Sequence, residues 1–275
     1  MKVRPTQVVF SLLTAFICLV GGCRQAIEAP VTPPEAAEEN SSAEIAVGAW
    51  SEVDASLEDD PEIDAMVSPY REKLQAVMGE EIGTAEASIG RSRPESPLGN
   101  LIADAILHHA KSEIDPEADL ALMNNGGIRL PEIPAGAITV ADIYQLVPFD
   151  NRVVVLTLTG RQIETVLQSL AEQGGEPLSG VTYQLEKVTS GDKSKWKPTN
   201  IQIAGRDLEL EATYKLATLD YLAGIGGELA VLKEASERQD GEPFLRDLMI
   251  ERIRELKTIR PTLDGRVSYL DESEE

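Results

Sequence analysis

The chain has 275 residues, a net charge of −22 and two cysteines, and these numbers set its limits. The acidic excess argues against a nucleic-acid backbone as partner, because that mode of binding needs clustered Lys and Arg; it leaves room for a small anion held by a few arginines in a cleft. Cys18 lies inside an opening apolar run, so once that run is removed Cys23 has no partner for an internal disulfide, and stability must come from a core.

In chain order, Lys2 and Arg4 precede an apolar run from Val8 to Val20 that ends in Gly21-Gly22-Cys23, the pattern of a signal peptide over residues 1–22. The run is shorter than the about 20 apolar residues of a membrane span. Small residues before Cys23 resemble the bacterial lipoprotein cleavage box, which implies a lipidated Cys23 and an extracytoplasmic protein anchored in the cell envelope. An ordinary secretory signal with an incidental cysteine is the alternative. Residues 23–60 carry Arg24 as their only basic residue amid many acidic ones, with Pro30, Pro33 and Pro34, and are expected to be an acidic tether.

Residues 61–275 form the expected domain. Apolar residues at 63, 66, 67, 74, 77 and 78 follow a helical spacing that Pro69 interrupts, predicting two short helices. A strand through 83–89 leads into the clearest helix, with Ser96 as cap, Pro97 at its first position, and Leu98, Leu101, Ile102, Ala105 and Ile106 on one stripe. Residues 118–123 read as a buried strand, 139–149 as a helix with Thr139 and Asp142 in capping-box positions, 152–158 as a second buried strand, and 159–175 as an amphipathic helix stopped by glycines. Strand-like pieces follow, with a hairpin turn expected at Gly205-Arg206, and a last helix over 243–256 closes the chain. The fold class read from this order is α+β, one domain with a mixed sheet and flanking helices.

Several loops carry more polar chemistry than a fold requires. Asn124-Asn125-Gly126-Gly127-Ile128-Arg129 follows a buried strand; its glycines permit positive φ and close approach of a ligand, its amides donate and accept, and Arg129 can grip an oxyanion. Taken alone, the segment reads first as a tight turn. Phe149 follows a proline at a helix end, and Tyr221 precedes three glycines; each is core or turn by itself, or one wall of a slot for a flat ligand. Arg91 and Arg93 precede the best-defined helix, where they face an anion or simply Glu95. His108 and His109, the only histidines, are adjacent on a helix and cannot face one metal together. No D-x-H, G-N-H, G-x-S-x-G, P-loop or H-E-x-x-H is present.

Taken in order, the segments RPESPLGNLIADAIL, NNGGIR, ITVADIYQLVPFDN, VVVLTLTGRQIETVL, LSGVTYQLE and YKLATLDYLAGIGGEL resemble the C-terminal domain of the 5'-nucleotidase family. The resemblance implies a substrate-specificity domain that holds a nucleoside base between two aromatic rings and contacts ribose and phosphate through Arg, Asn and Asp. By motif it assigns substrate binding to Asn124, Arg129, Phe149 and Tyr221, and to Arg93 with Arg91 as the alternative. Glu228 stands where the family has an Asp on the ribose, in a loop one residue longer. The family's two-metal catalytic domain has no room between Cys23 and residue 60. The expected function is therefore the nucleotide-binding half of an extracytoplasmic 5'-nucleotidase, with no cofactor and no catalytic residue in this chain. Divalent metals would sit in a separately encoded metallophosphatase subunit. The alternatives are a stand-alone nucleoside- or nucleotide-binding lipoprotein and a non-catalytic scaffold module.

Overall fold

Short apolar runs alternate with capped amphipathic stretches along the chain, and most settle into the element that their pattern dictates. The computed structural model describes residues 58–190 and 193–270, and Asp59–Glu275 is one compact unit. The signal peptide, Cys23 and all but the last residues of the expected tether lie outside the described residues. In chain order the elements are α1 Pro61–Met78, β1 Glu81–Ala85, β2 Ile89–Gly90, α2 Pro97–His109, β3 Leu120–Leu122, β4 Glu132–Ile133 and β5 Gly136–Thr139. Next come α3 Val140–Leu146, β6 Arg152–Thr159, α4 Gly160–Glu172, β7 Leu178–Ser179, β8 Val181–Ser190, β9 Lys193–Ile203 and β10 Arg206–Asp207. The last are β11 Thr213–Leu219, α5 Asp220–Gly224, β12 Glu237–Phe244, α6 Leu245–Leu256, β13 Thr258–Ile259 and β14 Val267–Tyr269.

The central sheet is mixed, in the order β12-β6-β11-β3-β7. β11 runs parallel to β3, with Leu216 opposite Leu120, and antiparallel to β6, from Thr213 opposite Thr159 to Leu219 opposite Val153. The C-terminal ends of β3 and β11 and the N-terminal end of β6 therefore meet at one edge of the sheet. The loops that leave those three ends carry Asn124 to Arg129, Tyr221, and Phe149 to Asn151. Behind them, Val153 to Leu156 of β6 and Leu216 to Leu219 of β11 are buried, and α2 and α4 pack their apolar stripes into the same core through Leu98, Ile102, Ile106, Ile163, Leu167 and Leu170.

The caps expected from sequence, Ser96 and the Thr139/Asp142 box, form, and a second box, Thr159/Gln162, accompanies them. Ser96 accepts from the Gly99 N–H at 2.9 Å. The boxes Thr139/Asp142 and Thr159/Gln162 close in both directions, which fixes where α3 and α4 begin.

Four expectations are corrected. Residues 61–78 form one helix, with Pro69 inside it. A proline there removes the bond to the carbonyl four residues back; Ala65, which supplies that carbonyl, is exposed to water, and Asp64 ties the turns on either side of Pro69 together by accepting from Arg71 at 2.8 Å and Ser68 at 3.4 Å. The strand expected over 83–89 splits into β1 and β2, which join different sheets. The hairpin turn is Ala204-Gly205, at φ 49° and 74°, one residue earlier than expected, because Arg206 already pairs with Ile203. β12 has no counterpart in the sequence reading. Its sequence lacks alternation because it is an edge strand with largely exposed side chains, paired on one side only to β6.

Candidate functional site

The residues at the meeting edge enclose a cavity of about 320 Å³ lined by Asn124, Gly126, Gly127, Arg129, Phe149, Asn151 and Tyr221. Four of the six residues expected to bind substrate thus come together. Phe149 and Tyr221 are 45% and 53% exposed, unusual for aromatic rings that merely fill a core.

Local chemistry explains why each wall stands where it does. Asn125–Gly127 forms a single 3-10 turn, and neither Gly126 nor Gly127 has a positive φ, contrary to the sequence reading. What the glycines provide is space: a Cβ on Gly127 would stand 2.5 Å from Met123 Cε and 3.1 Å from Asn124 Oδ1. The turn is bound from behind by Glu176, 7% exposed, which accepts from the Asn125 N–H and, at 3.1 Å, from Arg93 Nη2. Arg129 is tied to the Phe149 side through its backbone N–H, which donates to the Leu146 carbonyl at 2.8 Å.

The Phe149 loop is held on both flanks. Asp150 pairs with Arg246, and the Leu245 N–H donates to the Asn151 carbonyl at 2.8 Å. The Arg246 guanidinium lies over the rings of Phe244 and Tyr144, at 4.8 Å and 5.2 Å. Burial opposes its charge, but the hydrogen-bonded Asp150 carboxylate and the neighbouring Tyr144 outweigh that cost and raise its pKa.

Arg129 differs from its neighbours. Arg93 and Arg246 are committed to carboxylates, whereas Arg129 is paired with none among the described residues and stands 6.0 Å from the Phe149 ring centroid. An unpaired guanidinium beside two exposed rings and two amides, Asn124 and Asn151, can take a flat ligand with an anionic end.

Arg93 and Glu228 are not brought into this cavity. Arg93 donates to the carbonyls of Gln173 and Gly175 as well as to Glu176, so it secures the loop after α4. Arg91 donates to the Ile128 carbonyl at 2.9 Å and supports the same turn. Glu95 pairs with neither; it accepts from Asn100 at 2.6 Å and from the Asp264 N–H at 3.0 Å. Glu228 accepts from Gln173 Nε2 at 2.8 Å. Sequence reasoning missed Asn151 and Glu176; the position of Asn151, two residues after Phe149, was the one available signal.

A model of the "5'-nucleotidase, C-terminal domain" family matches residues 81–234. The chain belongs to the 5'-nucleotidase C-terminal domain family. All six residues expected to bind substrate fall inside the match. The chain is 28% identical over 232 residues to the trifunctional nucleotide phosphoesterase protein YfkN of Bacillus subtilis, covering 78% of this chain and 16% of that protein. It is 27% identical over 179 residues to a 5'-nucleotidase of Vibrio vulnificus, covering 63% of this chain and 31% of that enzyme. A 5'-nucleotidase precursor from Thermus thermophilus has the same fold, with TM-score 0.66 and 29% identity over 76% of this chain and 43% of its own. The chain therefore spans less than a third of those two curated relatives and under half of the Thermus structure.

The two-metal centre that the family resemblance implies for the catalytic half does not fit these residues. Among the described residues no three His, Cys, Asp or Glu side chains gather to hold a metal ion. His108 lies 3.7 Å from Glu255, and His109 keeps its Nε2 buried without a partner.

Proposed function

We propose that this chain is the nucleotide-binding, specificity-setting half of an extracytoplasmic 5'-nucleotidase, and that a separate metallophosphatase chain supplies bond cleavage. One observation carries the reading: two exposed aromatic rings, an unpaired arginine and two amides line a single cavity whose volume falls in the range of small-molecule sites. The nucleobase inserts between Phe149 and Tyr221. Asn151 and Asn124 offer hydrogen bonds to its edge or to the sugar, and Arg129 takes the anionic end. Holding the ester in one pose is an orienting role, which lowers the entropy cost of a reaction completed elsewhere.

The chain is further proposed to be lipid-anchored through Cys23. No helix among the described residues is long and apolar enough to cross a membrane; a Cys23→Ser variant that stays in the membrane fraction would contradict the anchor.

The purified chain, supplied with divalent metal, should bind adenosine monophosphate and leave it intact, and turnover should appear on mixing with the metallophosphatase chain. Hydrolysis by the chain alone would overturn the division of labour.

A further inference from the structure

The two aromatic walls stand on separate segments, Phe149 in the loop before β6 and Tyr221 in α5, yet one carboxylate oxygen is bonded to Tyr221 and to the first residue of β6. Asp220 Oδ1 accepts from the backbone N–H of Tyr221 at 2.7 Å and from the backbone N–H of Arg152 at 3.2 Å. Tyr221 is the second wall itself, and Arg152 opens β6 three residues after Phe149.

The sheet register explains why a side chain is needed here. The ladder between β11 and β6 ends at Leu219 opposite Val153. On the same register the next pair would be Asp220 opposite Arg152, but at Asp220 the backbone leaves the sheet to begin α5. The Asp220 side chain reaches back to the N–H of the residue that would have been its partner. It thus continues the ladder by one rung at the point where the two loops part. Elsewhere the loops have separate supports: the Phe149 loop leans on α6 through Arg246 and Leu245, and the Tyr221 turn continues into the glycines that follow α5.

From this geometry we infer that Asp220 is the positioning residue that sets the spacing of the Phe149 and Tyr221 rings. The inference rests on the functional reading above for its ligand, and on the two hydrogen bonds for its mechanism. Asp220 does not itself line the cavity; it acts through the backbone N–H groups of Tyr221 and Arg152.

Two variants test it, Asp220→Ala and Asp220→Asn, read first by amide hydrogen exchange in the ligand-free protein. Loss of the acceptor in Asp220→Ala should speed exchange at both Arg152 and Tyr221, while the Asn carboxamide oxygen can still accept and should keep both slow. Adenosine affinity should then fall about tenfold in Asp220→Ala, the size of one or two lost hydrogen bonds, and little in Asp220→Asn. In a Phe149→Ala background, Asp220→Ala should cost nothing more, a coupling that a purely structural role would not produce. Unchanged exchange at either amide, or an affinity loss that persists without the Phe149 ring, would overturn the inference. A wild-type chain that binds no adenosine overturns the functional reading instead, and the exchange measurement then decides the bridge alone.

Discussion

The Arg129 guanidinium carbon stands 6.0 Å from the centroid of the Phe149 ring, and both side chains line the same cavity. The two are brought together by the Arg129 N–H bond to Leu146, three residues before Phe149. A cation and a stacking surface at this distance divide the work on a nucleotide: the ring serves the base and the cation serves the phosphate. Arg129→Ala should therefore weaken adenosine monophosphate by about 2 kcal/mol, the size of a hydrogen bond to a charged group, and leave adenosine nearly unchanged. Equal losses for the two ligands in a calorimetric titration would place Arg129 on the base or the ribose.

Glu176 is the buried support of the Asn124 turn, and its removal leaves the Asn125 N–H without an acceptor and the Arg93 guanidinium with only the carbonyls of Gln173 and Gly175. Glu176→Ala should cost about 2 kcal/mol of stability, the penalty for leaving the buried Asn125 N–H without an acceptor, seen as a lower urea midpoint. Arg93→Ala should cost less, because the Arg93 side chain is 44% exposed.

Gly175 has a φ of +95°, and a Cβ there would stand 2.5 Å from the Pro94 carbonyl oxygen. Gly175→Ala should destabilise the protein by about 2 kcal/mol or more, since backbone strain and a backbone clash add. A thermal midpoint equal to that of the unmodified chain would show that the loop can relax.

Burial is the largest influence on His109, and it lowers the pKa below 6.5, with Glu113 and Glu251 opposing it only in part. The unfolded chain therefore takes up a proton before the folded one does. The stability tied to neutral His109 is complete above about pH 6.5 and is lost as pH falls through the folded pKa. Urea midpoints measured down from pH 7 should fall less steeply in His109→Phe than in the unmodified chain; parallel curves would contradict the assignment.

Much of this was legible in the sequence because capping residues, apolar periodicity and loop motifs are local signals. Ser96 and Pro97 marked the start of α2, the Thr139/Asp142 capping box marked α3, and the apolar stripe before Gly174-Gly175 marked α4. Asn124, Arg129, Phe149 and Tyr221 converge as their motifs implied. What was not legible depends on partners distant in the chain. Arg93 could be placed beside a helix N-terminus but not against Glu176, and Glu228 beside glycines but not against Gln173. β12 was hidden because an edge strand with an exposed face needs no apolar alternation, and α1 stayed whole across Pro69 because water can reach the carbonyl that the proline leaves free.

The central claim is that Phe149 and Tyr221 form a slot for a nucleobase. Calorimetric titration with adenosine and adenosine monophosphate, on the unmodified chain and on Phe149→Ala, tests it most directly. Both ligands should bind, and the substitution should weaken both by about 1–3 kcal/mol, the range for stacking of a base on an aromatic side chain. Affinity that survives the loss of Phe149, or no binding of either ligand to the unmodified chain, would contradict it.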